Sequence, residues 1–159
     1  MNGIKKKAIN MAILESVKNA RNNYRDGGPF GAVIVRGDEI ISHAHNTVIK
    51  SKDPTAHAEV NAIRMAAKKL DTHDLSGCVL YTSAEPCPMC LSAIVWANIR
   101  EVYYANSRED TEGIGFRDDK IYEYIKGNRK RLIKLNQIKS EDAKKIFDDF
   151  ISREEKSIY

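Results

Sequence analysis

Apolar positions along the chain change period several times, and each change marks an element. Ile9, Ile13, Leu14, Val17 and Ala20 recur at helical intervals and predict an amphipathic helix over residues 4–23. Lys5, Lys6 and Lys7 lie in its first turn, where cations oppose the helix dipole, and read as solvated charge. Asp26-Gly27-Gly28-Pro29 breaks that helix. Phe30 to Val35 is an apolar run suited to a buried strand. Gly37-Asp38 then puts Gly first in a two-residue loop, as a type II′ hairpin wants. Glu39 to Asn46 is the return strand, with His43 and His45 as polar positions on one of its faces.

The second half alternates helices with strands. Thr55 is placed to cap a helix over 56–70, whose apolar face is Val60, Ile63, Ala67 and Leu70. Cys78 to Thr82 reads as a central strand, with Cys78 a small buried residue. The helix carrying Leu91, Ala93, Ile94, Val95, Trp96 and Ala97 is apolar almost all round, which predicts burial. Arg100 to Ala105 is another strand, and residues 106–120 are a polar, Gly-bearing connection. Ile121 to Lys126 predicts a short helix and Leu132 to Leu135 a last short strand. A final helix starts at Ser140 and runs to about Glu155, with Ile146, Phe147, Phe150 and Ile151 as its apolar positions. The order predicts an α/β fold of three layers, α/β/α. Its central mixed sheet has about five strands, with helices on both faces; the hairpin is the antiparallel pair and the crossovers give parallel ones.

Composition narrows the setting. A chain of 159 residues with 42% hydrophobic content is globular and large enough for one domain with a proper core. No apolar run has the length of a membrane span or a signal peptide. Three cysteines, an odd count, argue against a disulfide framework and for a reducing, cytoplasmic setting. A net charge of +4 permits nucleic-acid binding without indicating it, and the cluster Arg129, Lys130, Arg131 and Lys134 reads as solvated surface.

The chemistry sits in two short stretches, His57-Ala58-Glu59 and Pro86-Cys87-Pro88-Met89-Cys90. One imidazole and two thiolates can hold a catalytic zinc ion and leave its fourth tetrahedral position for water. Their charge cancels that of the metal, leaving a Lewis acid whose water ionises near neutral pH. Cys87 and Cys90 fall at the start of a helix, where the dipole favours thiolates. A second Cys-x-x-Cys, which would suggest a closed structural site, is absent. Glu59 is not needed for binding and is free to move protons. Spacing alone does not bring it to the metal, because positions i and i+2 do not share a helix face. Asn46 stands at a strand end and, on the residues alone, is a turn residue.

These motifs resemble the cytidine-deaminase-like superfamily. Gly27-Gly28-Pro29-Phe30-Gly31, Asp53-Pro54-Thr55-Ala56-His57-Ala58-Glu59, Leu80-Tyr81-Thr82-Ser83, Gly115-Phe116, Asp118 and the terminal Tyr159 are similar to its small bacterial guanine deaminase branch. The likeness is strongest from 27 to 97. It implies one zinc held by His57, Cys87 and Cys90, with Glu59 as the catalytic proton carrier. It further implies that Asp118 takes part in recognition or turnover, that Asn46 holds the base, and that Phe30 and Trp96 are aromatic walls with Tyr159 at the site. Phe30 and Trp96 could equally be core. Arg117 separates Gly115-Phe116 from Asp118-Asp119, so Asp119 competes with Asp118 for the acidic role; Ala84 stands where a third Cys is often seen.

The reaction so implied is hydrolysis of guanine to xanthine and ammonia by a single domain over 1–159. The resemblance also implies a homodimer in which the segment from about 137 to 159 is exchanged. Three other readings use the same residues. A tRNA adenosine deaminase would act on an extruded base and need a basic face. A cytosine or nucleotide deaminase would take a pyrimidine. A non-catalytic zinc-stabilised module would unfold on chelation and release no ammonia.

Overall fold

The computed structural model describes residues 3–128 and 132–155. Strands β1 (Gly31–Arg36) and β2 (Glu39–His45) form the expected hairpin, paired from Gly31↔His45 to Arg36↔Glu39 with the register shifting by one residue between Ile34 and Val35. Gly37 has φ +58°, the left-handed backbone required at the first position of a type II′ turn and reached by glycine without steric cost. β3 (Cys78–Ala84) pairs antiparallel with β1 and parallel with β4 (Glu101–Asn106), giving the order β2-β1-β3-β4. The β1–β3 pair is a second antiparallel one. β2 and β3 both run against β1, so the connection between them passes over β1 instead of joining neighbours.

Among the described residues the sheet has four strands, not about five. Residues 132–135 form no strand, and Leu132, Ile133 and Leu135 are exposed. A strand needs a pairing partner, and among the described residues the outer edge of β4 has none within this chain.

Strand alternation separates two cores. Ala32 and Ile34 point to one face, where helix α3 (Ala58–Leu70) brings Ala58, Ala62 and Ala66 against them. Val33, Val35 and Tyr81 point to the other, against Ala8 and Ala12 of helix α1 (Gly3–Arg21). Each buried Val or Ile contributes roughly 1.5–3 kcal/mol. The face that α1 buries is Ala8, Ala12, Glu15 and Asn19; Ile13 and Leu14, expected on the buried stripe, are exposed. Contact at β1 is too close for large side chains, since a Cβ on Gly31 would lie 2.1 Å from the carbonyl oxygen of Ala12. α1 ends before the Gly-Gly-Pro segment. Asn23 adopts φ 56°, Asn23 N donates to Ala20 O and Tyr24 N donates to Asn19 O, the pattern of a Schellman cap with Asn in place of Gly.

Three further elements shape the site. A one-turn helix α2 (Val48–Ser51), not expected from the sequence, follows β2. Helix α4 (Pro88–Trp96) buries Pro88, Cys90 and Ile94 but exposes Leu91, Val95 and Trp96, so its all-apolar surface is not enclosed by this chain. The connection expected over 106–120 folds in part into α5 (Arg108–Gly113), opened by a Ser107/Asp110 capping box, and the short helix expected at Ile121 to Lys126 is present as α6 (Asp118–Ile125), starting three residues earlier. The last helix, α7 (Glu141–Ser152), starts at Ser140 as expected, with its Oγ accepting from Ala143 N. Among the described residues no helix is long and apolar enough to cross a membrane.

Candidate metal centre and base pocket

His57 is the N-cap of α3, in extended backbone with φ −67° and ψ 157°. Thr55, expected in that role, is drawn away: Asp53 Oδ1 accepts from both its N (2.8 Å) and its Oγ1 (2.7 Å), a local turn that delays the helix by two residues. The delay removes the difficulty of the i, i+2 spacing. His57 lies outside the helical repeat and Glu59 inside the first turn, and both line one small cavity with Cys87. Cys87 is the N-cap of α4 with φ −66° and ψ 167°, and Cys90 is in that helix's first turn. Two helix N-termini, each with unpaired backbone N–H groups, converge on one point.

The donor atoms fit a tetrahedral ion. Cys87 Sγ and Cys90 Sγ lie 3.6 Å and 3.5 Å from His57 Nδ1, and the three donor atoms all fall within 4.8 Å of one another. Zn–S bonds of about 2.3 Å and Zn–N bonds of about 2.0–2.1 Å give tetrahedral S···N edges of about 3.6 Å. The Cys90 thiol donates to Cys87, which with the His57 bond outweighs burial and draws Cys87 down to about 4. The same bond and burial push Cys90 up. Cys87, Cys90 and His57 would hold a zinc ion with both sulfurs as thiolates, Cys90 giving up its proton on binding. All three thiols of the chain, Cys78 included, are free of disulfides.

Burial pushes the Glu59 carboxyl up to about 7, with the Cys87 thiolate adding to the effect. Asp118, the first residue of α6, lines the same cavity, and its carboxyl is also raised by burial and by Cys87. Asp119 does not line it, which separates the two candidates. The cavity measures about 20 Å³, room for one water. Phe30 and Phe116 form its aromatic walls, in edge-to-face contact with centroids 4.9 Å apart. Phe30 also packs on the α3-side core.

His57 and Phe116 are shared with an outer vestibule of about 530 Å³, which Asn46, Gly27, Gly28, Tyr24 and Ile49 also line. Asn46 is buried; its N donates to Phe30 O (3.1 Å) and its Oδ1 accepts from Val48 N (3.1 Å), which leaves Nδ2 as the donor for a ligand. The Gly27-Gly28 backbone is wedged between the walls. A Cβ on Gly27 would lie 2.0 Å from Asn46 Oδ1, and one on Gly28 would lie 2.8 Å from both Phe30 and Phe116.

Not every expected residue arrives. Trp96, at the end of α4, is 62% exposed and lines neither cavity. Tyr159 and the basic residues Arg129, Lys130 and Arg131 lie outside the described residues; Lys134 is exposed. His43 and His45 face away from the zinc ligands, toward Glu15: His43 Nδ1 is 2.6 Å from Oε1, and His45 Nδ1 is 3.3 Å from Oε2. Phe116, Thr111 and Tyr24 were not singled out as site residues by sequence reasoning. Only the Gly115-Phe116 pair offered a signal.

Known proteins share this arrangement. The family described as the cytidine and deoxycytidylate deaminase zinc-binding region matches residues 4–106. Guanine deaminase of Bacillus subtilis (strain 168) is 52% identical over 113 residues, 70% of this chain and 72% of that protein. A tRNA-specific adenosine deaminase of Aquifex aeolicus (strain VF5) is 46% identical over 91 residues, 57% of this chain and 60% of that one. The X-ray structure of guanine deaminase from Bacillus subtilis superposes with a TM-score of 0.90 at 40% identity, over 100% of this chain and 99% of that chain. With the ligand trio, the buried Glu59 and the matched zinc-binding region in agreement, the chain belongs to the zinc-binding cytidine and deoxycytidylate deaminase family.

Proposed function

We propose that this protein hydrolyses guanine to xanthine and ammonia. The observation that carries the substrate is the match to a guanine deaminase structure along the whole chain, C-terminal third included, where the adenosine deaminase relative covers 57%. When bound, zinc supplies the Lewis acidity that activates one water. Glu59 takes a proton from the attacking water and gives it to the ring nitrogen beside the carbon that bears the amino group. It then helps carry a proton to the departing amine. Its burial, which raises the carboxyl, helps Glu59 hold the proton between the two transfers. Asp118 accepts hydrogen bonds from the amino group and shares in its protonation. Asn46 Nδ2 donates to the base, and Phe30 and Phe116 confine the ring.

The working unit is a homodimer with exchanged C-terminal segments. Ile146, Phe147, Phe150 and Ile151 of α7 are exposed in the single chain, as are Val95 and Trp96 of α4. Such unenclosed apolar faces call for a protein surface. The exchanged segment would then help to cover the partner's site.

The test is release of ammonia and xanthine from guanine by the zinc-loaded protein. Glu59→Gln keeps its zinc and loses roughly 10²–10⁴ in kcat. Inosine formation in tRNA, with salt-sensitive tRNA binding and no xanthine from guanine, would place the chain among the adenosine deaminases instead.

A further inference from the structure

Half of the face that α1 buries is polar: Glu15 and Asn19 lie beside Ala8 and Ala12. Asn19 is 0% exposed. It lies on the same helical face as Ala8 and Ala12, so its burial follows from the helix repeat and not from a local distortion. Its Oδ1 is the one buried side-chain polar atom without a hydrogen-bond partner among the described residues. The side chain is therefore held for its donors, at the cost of that one unmet acceptor.

What only a carboxamide supplies here is two N–H donors fixed in one plane. Nδ2 donates to Gly28 O at 2.7 Å and to Asn46 O at 2.9 Å. The two carbonyls belong to different segments, and both segments line the vestibule. Asn19 itself lines neither cavity. The stakes of the spacing are visible in the packing on either side. Gly27 touches the Asn46 carboxamide, and Gly28 touches the Phe30–Phe116 pair. A small slip of this loop against the end of β2 moves the polar contact and the aromatic walls relative to one another.

We infer that Asn19 is a positioning residue for base recognition: by joining Gly28 to Asn46 from behind, it fixes the distance between the aromatic walls and the Asn46 donor. The inference rests on the reading of Asn46 and the vestibule as the base site. Glu15, one turn earlier on the same face, holds β2 by a different route, through His43 and His45.

A double-mutant cycle tests it. Asn19→Leu and Asn46→Ala are made singly and together, and kcat/KM for guanine and zinc content are measured for each. A displacement on the order of 1 Å costs roughly 10–100-fold in turnover, so each single variant should lose at least about tenfold in kcat/KM with zinc retained. Because Asn19 acts through Asn46, the double variant should fall no further than Asn46→Ala alone. If Asn19→Leu instead lowers kcat/KM by the same factor in both backgrounds, its role is structural only and the inference is wrong. If Asn19→Leu fails to fold, Asn19→Ala gives the same cycle: it removes both donors without adding bulk or charge to the buried face. A wild-type protein inactive on guanine but active on another base overturns the substrate and not the inference, and the cycle is then read with that base. A zinc-loaded wild type inactive on every base overturns both.

Discussion

His57 and Cys87 hold the same position in two different helices. Each is an N-cap in extended backbone, φ −67° and −66°, and neither side chain caps its own helix. Side chains that commonly turn back to satisfy the first N–H groups are replaced by two that turn forward to a metal. Zinc is thus tied to the start of both α3 and α4.

Removing a ligand should therefore loosen both helices. Cys87→Ala or Cys90→Ala should lose most bound zinc, measured by metal analysis, and chelation of the wild type should lower its melting temperature by several degrees. A full zinc complement in either variant would rule out this ligand set. Wild type and Cys87→Ala should melt alike once chelator is present.

The close approach of Gly27 to Asn46 makes a small substitution informative. A Cβ at Gly27 would stand 2.0 Å from Asn46 Oδ1, so Gly27→Ala must displace the Asn46 carboxamide. The expected result is a rise in KM for guanine of about tenfold, with zinc content unchanged. Unchanged kinetics in this variant would mean that Asn46 does not contact the base.

Glu15 should give the fold an acid-sensitive term. Burial works to raise its carboxyl, but hydrogen bonds from Lys18 and His43 prevail and hold it below the ordinary glutamate value of 4.5. A carboxyl depressed in the folded state stabilises above its unfolded pKa, and that contribution disappears as pH falls through the folded value. Lys18 and His43 are about half exposed, so screening limits the effect to about 1–2 kcal/mol at neutral pH. Glu15→Gln should lower the melting temperature at pH 7, and the gap to wild type should close as pH drops below about 4.5. A gap of constant size across that range would refute the assignment.

Segment exchange predicts complementation. Glu59→Gln lacks the proton carrier, and a chain truncated before 137 lacks the exchanged tail; each alone should be nearly inactive. Mixed during refolding, half of the dimers pair one of each and contain one complete site, so roughly a quarter of wild-type activity should return. No recovery, with mixed dimers shown to form, would mean that each site is built from a single chain.

The metal centre was legible in the sequence because its residue types are chemically narrow: His57, Cys87 and Cys90 have few other reasons to occur at that spacing. Glu59 needed the structure, which showed His57 outside the helical repeat. Asp118 and Asp119 are adjacent in the sequence and chemically alike, and only the first turn of α6 shows which of them lines the cavity. α1 misled for a different reason. Its larger apolar residues suggest the buried face, but close approach at Gly31 selects small ones, so Ala8 and Ala12 go inside and Ile13 and Leu14 do not. Asn19 was invisible for the same reason, since a polar residue off the apolar stripe reads as solvated. The all-apolar α4 predicted enclosure correctly only if a second chain supplies it.

A cavity of about 20 Å³ has room for one water. Glu59 and Asp118 both line it, so whatever occupies that space lies beside two carboxyls that burial has raised. A small space thus does the work of a high concentration: proton carriers and reactant are neighbours by construction.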